Sequence, residues 1–302
     1  MTTVVDLFAG AGGFSEGARM AGATPLWASN HWPVAVSTHA AAHPDTTHVC
    51  QDLRQADWSE VPEHDVLLAS PACQGHSTAS QPRRRRYHDA LRATAWAVVD
   101  AVEVCQPRAF AVENVPSFTG WQLYGQWLSC LEMLGYDVQA VELTASHFGV
   151  PQRRKRLFVV GNRSGTTRPN LVFDQGSEPG FGDYLDVGAT GWKPVASAPA
   201  GVRKRVAAGR ARHGSRFLTQ HVTGHSGVGL DEPIRTVTTA ASHWNLVNRK
   251  EYRPLTLIEL RRAMGFRDDY PLPCSSKADG VRLLGNAVCP PVAAALVERL
   301  SP

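Results

Sequence analysis

Over the first 160 or so residues, short apolar runs alternate with stretches of helical spacing. TVVDLF (3–8), PLWAS (25–29), DVLLAS (65–70) and RAFAVEN (108–114) are too short for helices and read as strands. Between them, FSEGARMAG repeats its apolar positions at helical intervals, with Gly22 as a stop. PVAVSTHAAAH opens on Pro33, a residue suited to a first helical turn. ALRATAWAVVDAVEVC (90–105) predicts a long helix with a broad apolar face, and WQLYGQWLSCLEMLG predicts another closed by Gly135. YDVQAVEL and RLFVVGN read as two final strands.

Strand and helix at these intervals imply parallel pairing through crossover helices. The predicted class is α/β: a doubly wound, mostly parallel Rossmann-like sheet, with the last strands adding an antiparallel edge. Ligands of such sheets sit beyond the carboxyl ends of the strands. Asp6, Pro71 and Glu113 all follow strand-like runs, so their loops are expected at one rim.

From about residue 163 the character changes. SGTTRPN, DQGSEPGFGD and ATGWKPVASAPAG are rich in Gly, Pro, Ser and Thr, and periodicity is lost until about residue 252. This predicts a second, smaller, irregular domain over 163–251, inserted in a large domain formed by 1–162 and 252–302. LTLIELRRAMGF and PPVAAALVERL restore the helical pattern at the end.

Composition narrows the function. At 302 residues and 19% charged, the chain is long enough for a well-buried core. No apolar run approaches the ~20 residues that span a bilayer, and no secretory pattern opens the chain, so a cytoplasmic location is expected. Its six cysteines are scattered without a C-x-x-C pair, and there is no H-E-x-x-H, so neither a zinc site nor a disulfide framework is expected. Net charge is only +4, but the cations cluster: Arg83 to Arg86, then Arg153, Arg154, Lys155 and Arg156, then Arg203, Lys204, Arg205, Arg210, Arg212 and Arg216. Three clusters in a barely basic protein point to one positive surface and a polyanionic partner.

Two motifs carry candidate chemistry. DLFAGAGGFSEG (6–17) is a strand, a glycine turn and a helix start, suited to a nucleoside-type cofactor at the free N–H groups of the helix. It departs from the G-x-G-x-x-G dinucleotide pattern. SPACQGHS (70–77) places Cys73 in a loop at the strand rim, where a thiol is available as a nucleophile.

Six blocks in order resemble the DNA cytosine 5-methyltransferases: DLFAGAGGFSEG, SPACQGHS, AVENV (111–115), GVPQRRKRLFVVG (149–161), RPLTLIELRRAMGF and GNAVCPPVAAAL (285–296). The resemblance spans residues 3 to about 162 and 252 to 300. It implies S-adenosylmethionine as methyl donor, cytosine in double-stranded DNA as acceptor, and a target-recognition domain where the irregular stretch lies. A monomer without metal is expected.

The resemblance also implies roles. Cys73 would add to cytosine C6 as a thiolate, which makes C5 nucleophilic. Glu113 would donate a proton or strong hydrogen bond to ring N3. Asn114 would orient the loop and contact the base, and one of Arg154 and Arg156 would hold the cytosine carbonyl or the Glu. The donor would lie among Phe8, Ala9, Gly10, Gly12, Gly13, Asn30, His31, Asp52, Leu53, Pro71, Asn286 and Val288. A cytosine inside a duplex must be flipped out to be reached. Gln74, Ser77 and Arg83, Arg84, Arg85 and Arg86 would then close on DNA. Arg203, Lys204, Arg205, Arg210 and Arg212 would contact phosphates or guanine edges, and TVTTAASHW (236–244) would shape the strand beside the catalytic domain.

The sequence also departs from the family. Ala72 replaces the Pro that directly precedes the nucleophile, with Pro71 one residue earlier. Asn30 stands where a ribose-binding Glu is usual, His31 where an aromatic packs on adenine, and His76 where Phe is common. Four alternatives stay open at this point: cytosine C5 transfer to RNA, a modified S-adenosylmethionine donor, a catalytically silent DNA-binding homologue, and, from fold alone, a nicotinamide dehydrogenase.

Overall fold

The computed structural model describes residues 1–72, 93–222, 224–240 and 244–301. Its centre is a seven-stranded sheet ordered β3-β2-β1-β4-β5-β8-β6. The strands are β1 (Thr3–Leu7), β2 (Thr24–Asn30), β3 (Thr47–Cys50), β4 (Val66–Ala69), β5 (Ala109–Asn114), β6 (Tyr136–Thr144) and β8 (Lys155–Arg163). The first five pair in parallel. β8 runs antiparallel to both β5 and β6. The reversal therefore lies one strand in from the edge rather than at it.

β4 and β5 are buried along their whole length because both faces of the sheet are covered. On one face pack α1 (Gly13–Met20), α2 (Pro33–Ala42) and α8 (Pro290–Leu300), with Phe14, Ala35, Ala293 and Leu296 in the core. On the other pack α3 (Trp96–Cys105) and α4 (Tyr124–Met133), through Val98, Val102, Trp127 and Leu131. The predicted helix over 90–105 is thus described from Trp96, after a 3₁₀ turn at Ala93–Ala95, and its first three residues lie largely outside the described part.

The second unit is more regular than its composition suggests. It holds α5 (Ala200–His213) and an antiparallel sheet ordered β10-β12-β13-β9, formed by β9 (Lys193–Pro194), β10 (Arg216–Gln220), β12 (Trp244–Asn248) and β13 (Glu251–Pro254). The apolar stripe of α5 is only Val202, Val206 and Gly209, which is why its periodicity was faint among so many arginines. β13 belongs to this sheet, so the chain returns to the large unit after Pro254 rather than at residue 252. At the other boundary, Phe181 and Leu185 join a core that spans both units, from Phe158 and Leu296 to Leu218 and Leu246.

The junction is pinned by a buried pair. Arg253 of β13 donates to both oxygens of Glu259, at 2.8 and 2.6 Å. Glu259 also completes a capping box with Thr256 at the start of α6 (Leu257–Ala263). The stretch Lys277–Leu300 is apolar and long enough to cross a membrane, but it is 78% buried. It is two helices, α7 (Lys277–Asn286) and α8, separated by extended backbone at Ala287 and Cys289.

Candidate active site

The loops after β1, β2, β4 and β5 meet the end of α7 around a cleft lined by Phe8, Gly10, Asn30, Trp32, Pro71 and Glu113 on the sheet side. Arg282, Asn286 and Val288 line the opposite side. The first loop is bent sharply: Phe8, Gly10 and Gly12 all have left-handed backbone, with φ of 59°, 57° and 84°. Such strain at a non-glycine residue persists only when neighbours enforce it. Here the Ala9 amide donates to the Ser29 carbonyl (3.0 Å), and the Ser70 hydroxyl donates to the Phe8 carbonyl (3.2 Å).

The glycines divide their work. Gly10 lines the cleft, whereas Gly12 and Gly13, expected there, face away from it. A Cβ on Gly13 would sit 2.0 Å from the Val288 carbonyl oxygen, so this glycine lets α1 approach the closing block. A Cβ on Gly12 would sit 2.5 Å from the Tyr270 hydroxyl. Nor is the start of α1 left wholly to a ligand. The buried Asp6 carboxylate accepts from the Ser15 amide (3.1 Å) and hydroxyl (2.8 Å).

After β2, the Asn30 side chain is spent locally, accepting from the Trp32 amide at 2.9 Å. Trp32 lines the cleft beside Phe8 and His31, and Arg282 stacks over its ring at 4.4 Å. His31 is exposed and also lines the cleft. Trp32 and Arg282 are the residues the sequence reading missed. The Trp directly beside His31 was the available signal for the first.

Asp52 and Leu53 lie outside the cleft lining. Asp52 caps a short 3₁₀ turn and pairs with Arg54, which holds its carboxyl below the ordinary range. Leu53 is buried in the core of the opposite face.

At the deep end, Glu113 closes β5. Arg156 of β8 pairs with it, Nε to Oε1 at 2.9 Å, because the antiparallel register brings Leu157 opposite Asn114. Burial pushes the Glu113 carboxyl up, against the pull of Arg156 and Arg154. Asn114 donates to the Pro71 carbonyl (3.2 Å) and accepts from the Val115 amide (2.9 Å), fixing the chain two residues before Cys73. The Ala72 amide donates to the Thr94 hydroxyl at 3.2 Å. Cys73 itself, with Gln74, Ser77 and Arg83 to Arg86, lies outside the described residues.

Of the two arginines of this block, it is Arg156 that pairs with Glu113; Arg154 lies elsewhere. It is buried and donates to the carbonyls of Val237 (3.1 Å), Gly285 (3.0 Å) and Ala287 (3.0 Å). In the smaller unit, Arg203 and Arg210 donate to the Ala198 and Arg249 carbonyls. Of the cationic residues on α5 named above, Arg212 lines the unit's polar cleft, and Lys204 and Arg205 do not. Among the described residues no cluster of three or more His, Cys, Asp or Glu could hold a metal ion.

Residues 2–181 and 190–301 match the family described as C-5 cytosine-specific DNA methylase. The Type II methyltransferase M.NlaX of Neisseria lactamica is 30% identical over 99% of this chain and 96% of its own length. The Type II methyltransferase M.AgeI of Thalassovita gelatinovora is 36% identical over 53% of this chain, but the match covers only 39% of that protein. The structure of the Entamoeba histolytica methyltransferase EhMeth shares the fold, with a TM-score of 0.75 over 99% of this chain and 98% of that one, at 17% identity.

Proposed function

Because this chain belongs to the C-5 cytosine-specific DNA methylase family, we propose that it methylates C5 of cytosine in double-stranded DNA with S-adenosylmethionine as donor. The observation that carries the reading is Glu113, buried on the Arg156 guanidinium at the deep end of the cleft, next to Asn114, whose side chain holds the Pro71 carbonyl two residues before Cys73.

The cleft suits the donor. Trp32 offers a ring for a purine, the bent Phe8–Gly10 backbone offers close approach, and Asn30, His31, Asn286 and Val288 stand around it. When bound, S-adenosylmethionine would supply the electrophilic methyl group.

The remaining chemistry falls to the chain. Cytosine C5 is a weak nucleophile because the ring is aromatic. Addition of the Cys73 thiolate at C6 moves electron density to C5 and to N3. Glu113 answers the charge at N3 with a proton, which the burial that raises its carboxyl favours. Arg156 holds the carboxyl in place and tempers the rise. Asn114 sets the course of the loop that carries the thiol. Once C5 carries the methyl group, loss of the C5 proton, departure of Cys73 and return of the N3 proton to Glu113 restore the aromatic ring.

The test is transfer of labelled methyl from S-adenosylmethionine to unmethylated genomic DNA. Glu113→Gln is expected to lower the rate by roughly 10²- to 10⁴-fold, the range of a lost general acid, with donor binding retained. Unchanged transfer by the variant would remove Glu113 from the chemistry.

A further inference from the structure

Behind the donor loop stands a carboxyl group with no access to water. Asp6 of β1 is fully buried, and its Oδ1 has no hydrogen-bond partner among the described residues. Its Oδ2 is 2.8 Å from the Ser15 hydroxyl of α1. From there the contacts run outward. Ser15 Oγ is 2.9 Å from Nε2 of His39 on α2, and Nδ1 of His39 is 2.8 Å from Nε2 of His48 on β3. Asp6, Ser15 and His39 are buried, whereas His48 is half-buried on the edge strand of the sheet, with the Thr46 carbonyl beside its ring. Three hydrogen bonds therefore join the root of the donor loop to the surface.

Each member of this row can take one proton while it gives another. With Asp6 ionised, every donor points inward: His48 Nε2–H to His39 Nδ1, His39 Nε2–H to Ser15 Oγ, and Ser15 Oγ–H to Asp6 Oδ2. With Asp6 protonated, every donor points outward, and His48 Nδ1–H turns to the Thr46 carbonyl. Ionisation converts the second state into the first. Asp6 passes its proton to Ser15 Oγ, Ser15 passes its own to His39 Nε2, and His39 passes the Nδ1 proton to His48 Nε2. His48 then releases its Nδ1 proton to water. Neither ring keeps a positive charge, which suits two histidines that burial holds low.

We infer that Asp6, Ser15, His39 and His48 form a proton relay, which lets the buried carboxyl exchange its proton with solvent and makes donor affinity depend on pH. The inference rests on the cleft taking a sulfonium donor. Phe8, which lines the cleft, is two residues from Asp6, at most ~7 Å of chain. The glycine turn rests on the relay itself, since a Cβ on Gly12 would sit 3.1 Å from the His39 ring. An ionised Asp6 attracts the cationic donor, and a protonated one does not. Burial pushes this carboxyl up to about 7, against the bonds from Ser15. Donor affinity is then weak below that value, rises through it and levels off above. Binding near that value releases a proton, which leaves through the relay.

Other titratable and charged groups face the relay. Glu16 of α1 pairs with Arg19 and with Arg267 at 3.1 Å each, and His43 of α2 is 4.0 Å from Glu16. Tyr270 packs against the His43 ring. Burial holds His43 at about 4 and pushes the Tyr270 phenol up, so both stay neutral on either side of pH 7, the range in which Asp6 changes charge.

The experiment follows the carboxyl and the donor separately. Difference infrared spectroscopy after a pH jump reads the Asp6 carboxyl without any ligand, with Asp6→Asn to assign the band. Calorimetry on both sides of neutral pH reads the affinity for S-adenosylmethionine and for S-adenosylhomocysteine, whose sulfur is uncharged. The wild type is expected to bind S-adenosylmethionine on the order of tenfold more tightly on the alkaline side, with a much smaller change for S-adenosylhomocysteine. Asp6→Asn keeps an acceptor for Ser15 and is expected to stay at the weak, acidic level throughout. His48→Gln keeps a donor for His39 but cannot pass a proton. Its Asp6 band is expected to keep its midpoint and to respond to the jump at least about tenfold more slowly, because exchange then waits for local opening of the fold. An Asp6 band that does not titrate near neutral pH would overturn the inference. So would an equally fast response in His48→Gln, or the same pH dependence of donor affinity in Asp6→Asn. Failure of both ligands to bind at any pH would count against the proposed donor, and the infrared band would still decide the relay.

Discussion

The hydroxyl of Tyr270 donates a 2.5 Å hydrogen bond to the carbonyl of Ala11, although 259 residues separate them. It ties the segment after α6 to the glycine loop of the donor cleft. Behind it lies a buried polar cluster. His43 is 3.5 Å from the hydroxyl and 4.0 Å from Glu16, and His39 reaches the Ser15 hydroxyl at 2.9 Å and the His48 ring at 2.8 Å. Burial holds His39 and His43 low, so both rings are neutral at ordinary pH.

Such a network is costly to bury and gives geometry in return. Tyr270 is thus a positioning residue for the loop that bends at Phe8 and Gly10. Tyr270→Phe leaves the Ala11 carbonyl unpaired. Donor affinity, measured by calorimetry with S-adenosylhomocysteine, is expected to fall about tenfold, the equivalent of one buried hydrogen bond of ~1.4 kcal/mol. The maximal rate at saturating donor is expected to stay within about twofold. A lower melting temperature with unchanged donor affinity would reduce the bond to general stability.

The Arg156–Glu113 pair makes a prediction about pH. Burial raises the Glu113 carboxyl and Arg156 opposes that rise. A proton donor works below its pKa, so the rate falls as pH rises through it. Removing the cation in Arg156→Met raises the carboxyl further. The alkaline limb of the rate profile is expected to move to higher pH, even as the overall rate drops. A limb that stays in place, or moves down, would assign it to another group.

Arg154 yields a contrasting expectation. Two of its carbonyl partners, Gly285 and Ala287, lie in the closing block at the donor cleft, and the third, Val237, lies in the smaller unit. Arg154→Lys cannot reproduce that fork. A loss of about 3 kcal/mol in stability is expected, the scale of a broken buried charged network. Thermal unfolding measures it. A fully stable variant with lost transfer would return Arg154 to the base-binding role that the sequence suggested.

Much of this arrangement was legible in the sequence. β4 and β5 are apolar throughout because both faces are covered, and the polar residues that break the pattern at their ends, Ser70, Glu113 and Asn114, line or brace the cleft. Contacts between distant segments were not legible. Gly12 and Gly13 look alike in sequence, yet one backs onto Tyr270 and the other onto Val288, and neither faces the cleft. Asn30 lines the cleft, yet its Oδ1 also accepts from the Trp32 amide two residues on, a local bond the motif alone did not announce. α5 was hidden because only three of its positions are buried. Asp52 was read from its neighbours in sequence, whereas Arg54, also in that stretch, takes its carboxylate.

The most direct measurement is mass analysis of nucleosides from the DNA of a host expressing this protein, beside a host expressing Cys73→Ser. New 5-methylcytosine with the wild type, absent with the variant, is the predicted result. DNA without modified cytosine in the wild-type host, or 5-methylcytosine that persists in the variant, would contradict the account.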